Sequence, residues 1–210
     1  MKYLYILILP LFFSISHAQK SKINFGEIKK EVQDSTSKYF YERLVYRFQY
    51  DPAVLDSAEI KHLYYGKFFT KNKPNPLSKE KLDFIDEFHK NSPDIIPIAN
   101  TLLFKDPADM EVLAVLLQIY SKQTEDSEEF GLRAMQLRQL LENVLRTSSQ
   151  EEDSNYFTVM SVPDEYVLAG FLKINLQTYK RTSTPTKDAI LDQWKDGKKK
   201  VTFRVMQQLE

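Results

Sequence analysis

The sequence contains no cysteine, and this absence removes several classes of chemistry. A chain without cysteine forms no disulfide, offers no thiolate to a metal or haem, and has no thiol nucleophile. It also lacks the residue that lipid-modified signal sequences need just after their cleavage point. Stability must therefore come from a hydrophobic core, which 210 residues with 42% hydrophobic side chains are long enough to build.

Glycine and histidine are scarce as well, at five and three residues. So few glycines leave little scope for a phosphate-binding loop, and the chain has no Gly-x-Ser-x-Gly, His-Glu-x-x-His or calcium-loop pattern. Neither His62 nor His89 has a second histidine or a carboxylate at metal-ligand spacing. The sequence therefore favours a protein with no metal, no cofactor and no catalytic residues.

An excess of charge is also missing, because 29 basic residues balance 29 acidic ones. A chain without net charge has no long-range field to draw it to a polyanion. We therefore predict no nucleic-acid partner.

The first 20 residues contain the longest apolar run. Lys2 precedes an apolar stretch over residues 3–15, and Ser16-His17-Ala18 places small residues where a signal peptidase reads them. Thirteen residues interrupted by Pro10 fall short of the roughly 20 that a spanning helix needs. We predict a signal peptide over residues 1–18, no membrane span after cleavage, and a periplasmic or extracellular protein.

Residues 19–148 show apolar side chains at helical spacing, and the runs open on capping residues. Asn24, Asp56 and Ser78 each stand where a helix should begin, and Glu59 completes a capping box with Asp56. "LLFKDP" followed by two more helical runs, the first with a Tyr in its last turn and the second with an inward Ala, is typical of a tetratricopeptide-like hairpin. The region is predicted to be a repeat-like helical bundle.

Residues 149–155 are polar and are predicted to be a linker, after which apolar residues alternate with polar ones. We expect strands near Phe157, across Leu172 to Leu176, and across Val201 to Val205. Asp196-Gly197 predicts a tight hairpin turn that pairs Trp194 with Lys199, Asp192 with Val201 and Ile190 with Phe203. Residues 156–210 should form an antiparallel meander of three to four strands that packs on the helices, which gives an α+β fold.

Two short stretches carry the candidate site residues. "HLYYGKFF" contributes His62, Tyr64 and Tyr65. The aromatic residues Tyr64, Tyr65, Phe68 and Phe69 exceed what one helical stripe can bury, so part of this surface could form a binding face. "PDEY" contributes Glu165 and Tyr166, placed at a corner between two strands. The structural alternative is that all five pack at the junction of helices and sheet, and Gly66 suggests either close packing there or an early helix end.

The stretches "IKHLYYGKFF", "LLFKDPADMEVL" and "YFTVMSVPDEYVLAGFLKI" together resemble the secreted bacterial proteins catalogued as domain of unknown function 4919. The resemblance spans about residues 23–205 and implies an exported protein of a Gram-negative bacterium. It implies no activity, ligand or catalytic residue. Its motifs match His62 to Gly66 and then Ser161, Glu165 and Tyr166, while Val167 stands where an acidic residue is expected.

These observations leave three functional hypotheses. The first is a non-enzymatic module that binds a protein or peptide of the cell envelope. The second is a hydrolase with an unfamiliar site built from His62, Glu165 and Tyr166, which requires these side chains to meet. The third is a structural domain without a ligand, and the oligomeric state is left open.

Overall fold

The computed structural model describes residues 23–70, 75, 78–122, 128–151 and 154–206. The predicted signal peptide lies outside the described residues. The helices are α1 Phe25–Gln33, α2 Tyr41–Tyr50, α3 Ser57–Gly66, α4 Lys79–His89, α5 Ile95–Lys105, α6 Met110–Tyr120, α7 Glu128–Arg146 and α8 Val162–Phe171. The strands are β1 Ser149–Glu151, β2 Ser154–Val159, β3 Lys180–Pro185, β4 Ala189–Asp196 and β5 Lys199–Met206.

The predicted caps begin their helices. Asn24 accepts a hydrogen bond from the backbone of Glu27 at 3.2 Å and opens α1. Asp56 and Glu59 form a reciprocal capping box at the start of α3, with bonds of 2.8 and 2.9 Å. Each bond satisfies a backbone donor that the first helical turn leaves without a partner.

Gly66 closes α3 and also permits a close approach between helices. A Cβ at this position would lie 2.7 Å from Val32 Cγ1 in α1. The absence of a side chain thus lets α1 cross α3 at short range, and α3 gives way to a 3₁₀ turn over Lys67–Phe69. Both explanations that the sequence suggested for this glycine hold.

Helices that are neighbours in the chain pack on each other, and α8 packs between α6 and the sheet. Contacts join α4 to α5, α5 to α6 and α6 to α7, while α3 packs against α1, α2 and α7. The α+β class, with helices preceding an antiparallel meander, is confirmed. Among the described residues, no helix is both long and apolar enough to cross a membrane.

The sheet is larger than the predicted meander. Strands β3, β4 and β5 pair antiparallel as expected, but β2 joins β5 in parallel and β1 pairs with β2, which gives the order β1-β2-β5-β4-β3. The polar residues 149–155 thus include β1 and the first residues of β2. They can be polar because β1 lies at an edge of the sheet.

The prediction of a strand across Leu172 to Leu176 is wrong, because the chain at these residues leaves helix α8 and forms no strand. Ser161 caps this helix by accepting a hydrogen bond from Asp164 N at 3.3 Å, and Pro163 fits its first turn. The crossover through α8 is what allows β2 and β5 to run parallel. The corner predicted between two strands is therefore the first turn of a helix.

The predicted hairpin forms with a register shifted by two residues. Trp194 pairs with Val201 and Asp192 with Phe203, and the turn residues are Gly197 and Lys198. Gly197 has a φ of 57°, and positive φ at the first central position alone is the type II′ arrangement. A shift of two keeps every side chain on its expected face.

One continuous hydrophobic core joins the helices to the sheet. Leu63 and Leu140 from the helices and Phe157 and Phe203 from the sheet all belong to it. Phe157 and Phe203 pack with ring centroids 5.8 Å apart.

Candidate functional site

The residues of the HLYYG stretch lie inside the fold. Tyr64 and Tyr65 have no exposed surface, and His62 is 4% exposed. Tyr64 donates a hydrogen bond of 2.7 Å to Asp164 Oδ2 in α8, and the Tyr65 hydroxyl lies 2.7 Å from Thr147 Oγ1. Burial raises the pKa of both phenols, so both remain neutral donors. The two tyrosines therefore attach α3 to α8 and to the end of α7.

His62 has a separate set of neighbours. Its Nδ1 donates to the carbonyl oxygen of Ala58 at 2.7 Å, and its ring stacks on Tyr39 with centroids 3.8 Å apart. Its Nε2 lies 2.7 Å from Glu31 Oε2, although that contact is not aligned as a hydrogen bond. These contacts hold α1, the following turn and α3 together.

Glu165 forms a buried acid pair with Asp192 of β4. Both side chains are fully buried, and Glu165 Oε2 accepts a hydrogen bond from Trp194 Nε1 at 3.3 Å. Burial, followed by the adjacent Asp192, raises the pKa of Glu165 to about 8. Burial acts in the same direction on Asp192, but hydrogen bonds from Arg181 and Ser183 outweigh it and lower the pKa of Asp192. Glu165 is thus the protonated partner and Asp192 the ionised one.

Tyr166 is the one predicted site residue that is exposed. Half of its surface is accessible, and its ring meets Trp194 edge to face at 5.9 Å. The structure therefore brings Glu165 and Tyr166 together around Trp194. Within the described part of the chain, no hydrogen bond or ion pair joins His62 to Glu165 or Tyr166, so the geometry that the hydrolase hypothesis requires is not present.

The described residues also hold no group of three or more histidine, aspartate or glutamate side chains placed to bind a metal ion. The carboxylates at the centre of the fold pair with other groups. Lys67, for example, donates to Asp106 Oδ2 at 3.2 Å and to the carbonyl oxygen of Ala108 at 3.0 Å. Burial opposes the charge on Lys67, but nearby carboxylates led by Asp106 raise its pKa, so the ion pair persists.

A small pocket lies between the start of α3 and the second half of α7. It has a volume of about 110 Å³, with Leu55 and Ile60 on one side and Gln139 and Asn143 on the other. Asn143 is 5% exposed, and its Nδ2 is buried without a hydrogen-bond partner among the described residues. Gln139 donates through Nε2 to the carbonyl oxygen of Pro52 at 2.8 Å, which leaves its buried Oε1 without a donor. The residue with the unpaired donor and the residue with the unpaired acceptor thus line the same pocket.

The family description "Domain of unknown function (DUF4919)" matches residues 26–210. The chain belongs to this family. The match covers all three stretches on which the resemblance was based, and no match was found among the curated proteins or the solved structures. In this DUF4919 chain the first and the third of these stretches meet through the hydrogen bond from Tyr64 to Asp164.

Among the described residues, the most exposed aromatic side chains of the DUF4919 chain lie on α2 and α5. Tyr46 and Tyr50 are each 66% exposed and their rings lie 5.0 Å apart, one turn apart on α2. Phe104 on α5 is 75% exposed, and Gln49 Nε2 donates to the carbonyl oxygen of Leu103 at 3.3 Å, which brings the ends of α2 and α5 together. The exposure of the two tyrosines could have been predicted from the sequence, because both fall outside the apolar stripe of their helix.

Proposed function

We propose that the protein is an exported, non-enzymatic module of the cell envelope that binds an extended peptide segment of another envelope protein. The observation that carries this proposal is the pocket between α3 and α7, where Asn143 Nδ2 and Gln139 Oε1 are buried without partners. A buried polar atom without a partner costs about 1–3 kcal/mol, which a ligand with matching groups would recover.

The chemistry of the pocket fits a peptide backbone. Gln139 and Asn143 stand one turn apart on α7, so their Cβ atoms lie about 5–6 Å apart and their side chains are neighbours. The Asn143 amide can donate to a peptide carbonyl, and Gln139 Oε1 can accept from a peptide N–H. Leu55 and Ile60 supply an apolar wall for a side chain of the bound segment.

The helix α7 already binds backbone carbonyls with the same kind of side chain. Gln136 Nε2 donates to the carbonyl oxygen of Phe48 at 2.8 Å, and Gln139 Nε2 donates to that of Pro52 at 2.8 Å. Asn143 continues this row by one turn and is one of the residues that line the pocket, and its Nδ2 has no carbonyl partner among the described residues. A bound peptide would extend a contact pattern that the fold uses internally.

An exposed apolar surface adjoins the segment that leads into the pocket. Tyr46, Tyr50 and Val54 are at least half exposed, and Val54 immediately precedes Leu55 of the pocket wall. Tyrosine is enriched in protein interfaces because it offers a large contact area at a small entropic cost. This surface would hold side chains of the same partner.

Export rests on the residues that precede the described part of the chain. The short basic start, the apolar run over residues 3–15 and the small residues before Gln19 support cleavage after Ala18. Expression of the full chain in a Gram-negative host, followed by N-terminal sequencing of the periplasmic protein, should give a chain that starts at Gln19.

Selection of a random phage-displayed peptide library on the purified mature chain tests the binding role. We expect selected peptides to share a motif and to lose at least tenfold in affinity with Asn143→Leu, because leucine has the same branched arrangement of side-chain heavy atoms and no donor. The variant should fold at least as stably as the original chain, since it removes an unpaired buried group. Gln118→Leu, at an exposed position of α6, is the matched control and should bind as before.

Two outcomes would contradict the peptide-binding role. A pocket that holds only water would select no common motif. Peptides that bind Asn143→Leu as tightly as the original chain would use another surface.

A further inference from the structure

A second and larger pocket lies at the end of the sheet where β4 turns into β5. It has a volume of about 540 Å³, which falls in the usual range for small-molecule sites. Its walls come from the β4–β5 hairpin, the start of β2, and the segment between α8 and β3. It shares no lining residue with the pocket proposed to bind peptide.

The pocket concentrates positive charge. Lys173, Lys198, Lys199 and Lys200 line it, against the single carboxylate of Asp196. In the described part of the chain, none of the four lysines forms an ion pair with a carboxylate. Since the whole chain carries equal numbers of basic and acidic residues, this excess is a local feature of the hairpin end.

The strands next to the pocket add further lysines in register. Lys180 of β3 stands opposite Lys195 of β4, which stands opposite Lys200 of β5. Like charges directly opposite each other on neighbouring strands destabilise a sheet. A bound anion would relieve this repulsion.

The backbone at Lys173 is held in a conformation that lysine does not favour. Its φ is 58°, at the position after the end of α8 where glycine is usual. Hydrogen bonds from Lys173 N to Gly170 O at 3.1 Å and from Ile174 N to Ala169 O at 2.9 Å complete this helix end. Glycine would make the same hydrogen bonds with less backbone strain, so lysine at this position lowers the stability of the fold. In return, Lys173 places an ammonium group at the pocket.

From these observations we infer that the pocket is a binding site for a small anion with at least two negative charges. Clustered lysines attract multiply charged anions, and both phosphoryl and carboxylate groups accept their hydrogen bonds. The site is independent of the proposed peptide pocket.

Isothermal titration of the mature chain at about 20 mM salt tests this inference, with pyrophosphate as the phosphoryl probe and citrate as the carboxylate probe. We expect one saturable site for at least one probe, with affinity that falls as salt is raised. Lys173→Gly should weaken binding about fivefold. It should also raise the melting temperature by about 2–4 °C, because glycine relieves the positive φ.

The structure offers a matched control at the end of α4. Asn91 occupies the equivalent position with a φ of 52° and the same pair of closing hydrogen bonds, far from the pocket lining. Asn91→Gly should raise the melting temperature without changing the affinity. Lys122→Gln, at an exposed position after α6, should leave both unchanged.

Two results would overturn the inference. One is the absence of saturable binding for both probes at low salt. The other is an equal loss of affinity in Lys173→Gly and Lys122→Gln, which would mean attraction to surface charge in general.

Discussion

At Glu165, burial and then the adjacent ionised Asp192 raise the pKa of the carboxyl group, which therefore keeps its proton. The pKa of about 8 in the folded protein lies above the ordinary value of 4.5. Between these two values the folded chain holds a proton that the unfolded chain has released. The free energy of unfolding should therefore fall as the pH rises from 4.5 to 8, by an amount on the order of 3–5 kcal/mol.

Glu165→Gln should flatten this pH profile. Glutamine can accept the hydrogen bond from Trp194 and has an amide that can donate to Asp192, but it does not titrate. Urea unfolding at pH 5, 6.5 and 8 would measure the slope, with Glu80→Gln on the exposed face of α4 as the control. An unchanged slope in Glu165→Gln would mean that another group produces the pH dependence.

The candidate residues show what a sequence reveals about a site. Glu165 and Tyr166 were predicted as candidate site residues because an acid and a phenol stand between two apolar runs. The surroundings of Glu165 depend on Trp194 and Asp192, which are about 30 residues away and reach Glu165 only through the sheet register. Asn143 could not be identified as a candidate from the sequence, because an amide without a hydrogen-bond partner is recognised only once its surroundings are known.

Among the secondary-structure elements, the close crossing of α1 and α3 at Gly66 gives a sharp test. Gly66→Ala should raise helix propensity by about 1 kcal/mol, but the new methyl group would lie 2.7 Å from Val32 Cγ1. We expect a net loss of about 1–3 kcal/mol in the free energy of unfolding, as measured by urea denaturation.

Two companion variants decide whether the helix crossing is the cause. Gly131→Ala in α7 has no atom within 4 Å of the added methyl group, so it should stabilise the protein. Adding Val32→Ala to Gly66→Ala should recover part of the loss, which would appear as coupling in a double-mutant cycle. Purely additive effects would rule out the contact with Val32 as the source.

The elements that the sequence predicted correctly are those with a strong local pattern. The helices α1, α3 and α4 have caps and an apolar stripe, so their starts could be read directly. Helix α8 lies between other helices and the sheet, and it buries Asp164 and Glu165 as well as Leu168 and Ala169. Burial of both acidic and apolar residues weakened its periodicity, although Ser161 and Pro163 marked its first turn.

For the whole molecule, the continuous core predicts a single unfolding transition. Trp194 is the sole tryptophan and reports on the sheet, whereas far-UV circular dichroism reports mainly on the helices. Because α8 bonds to α3 through Tyr64 and to β4 through Trp194, the two regions should unfold together. Denaturant midpoints from the two signals should coincide, and separate midpoints would mean that the helical layer is stable alone.

The position of β5 in the sheet has a consequence for the order of events during folding. This strand follows all other described elements in the chain, yet it lies between β2 and β4 and pairs with both. Until β5 has been synthesised, β2 and β4 have no common partner, and their apolar faces cannot close over the helices. A nascent chain that lacks β5 would therefore remain incompletely folded, which is the condition in which a polypeptide can be threaded through a narrow channel.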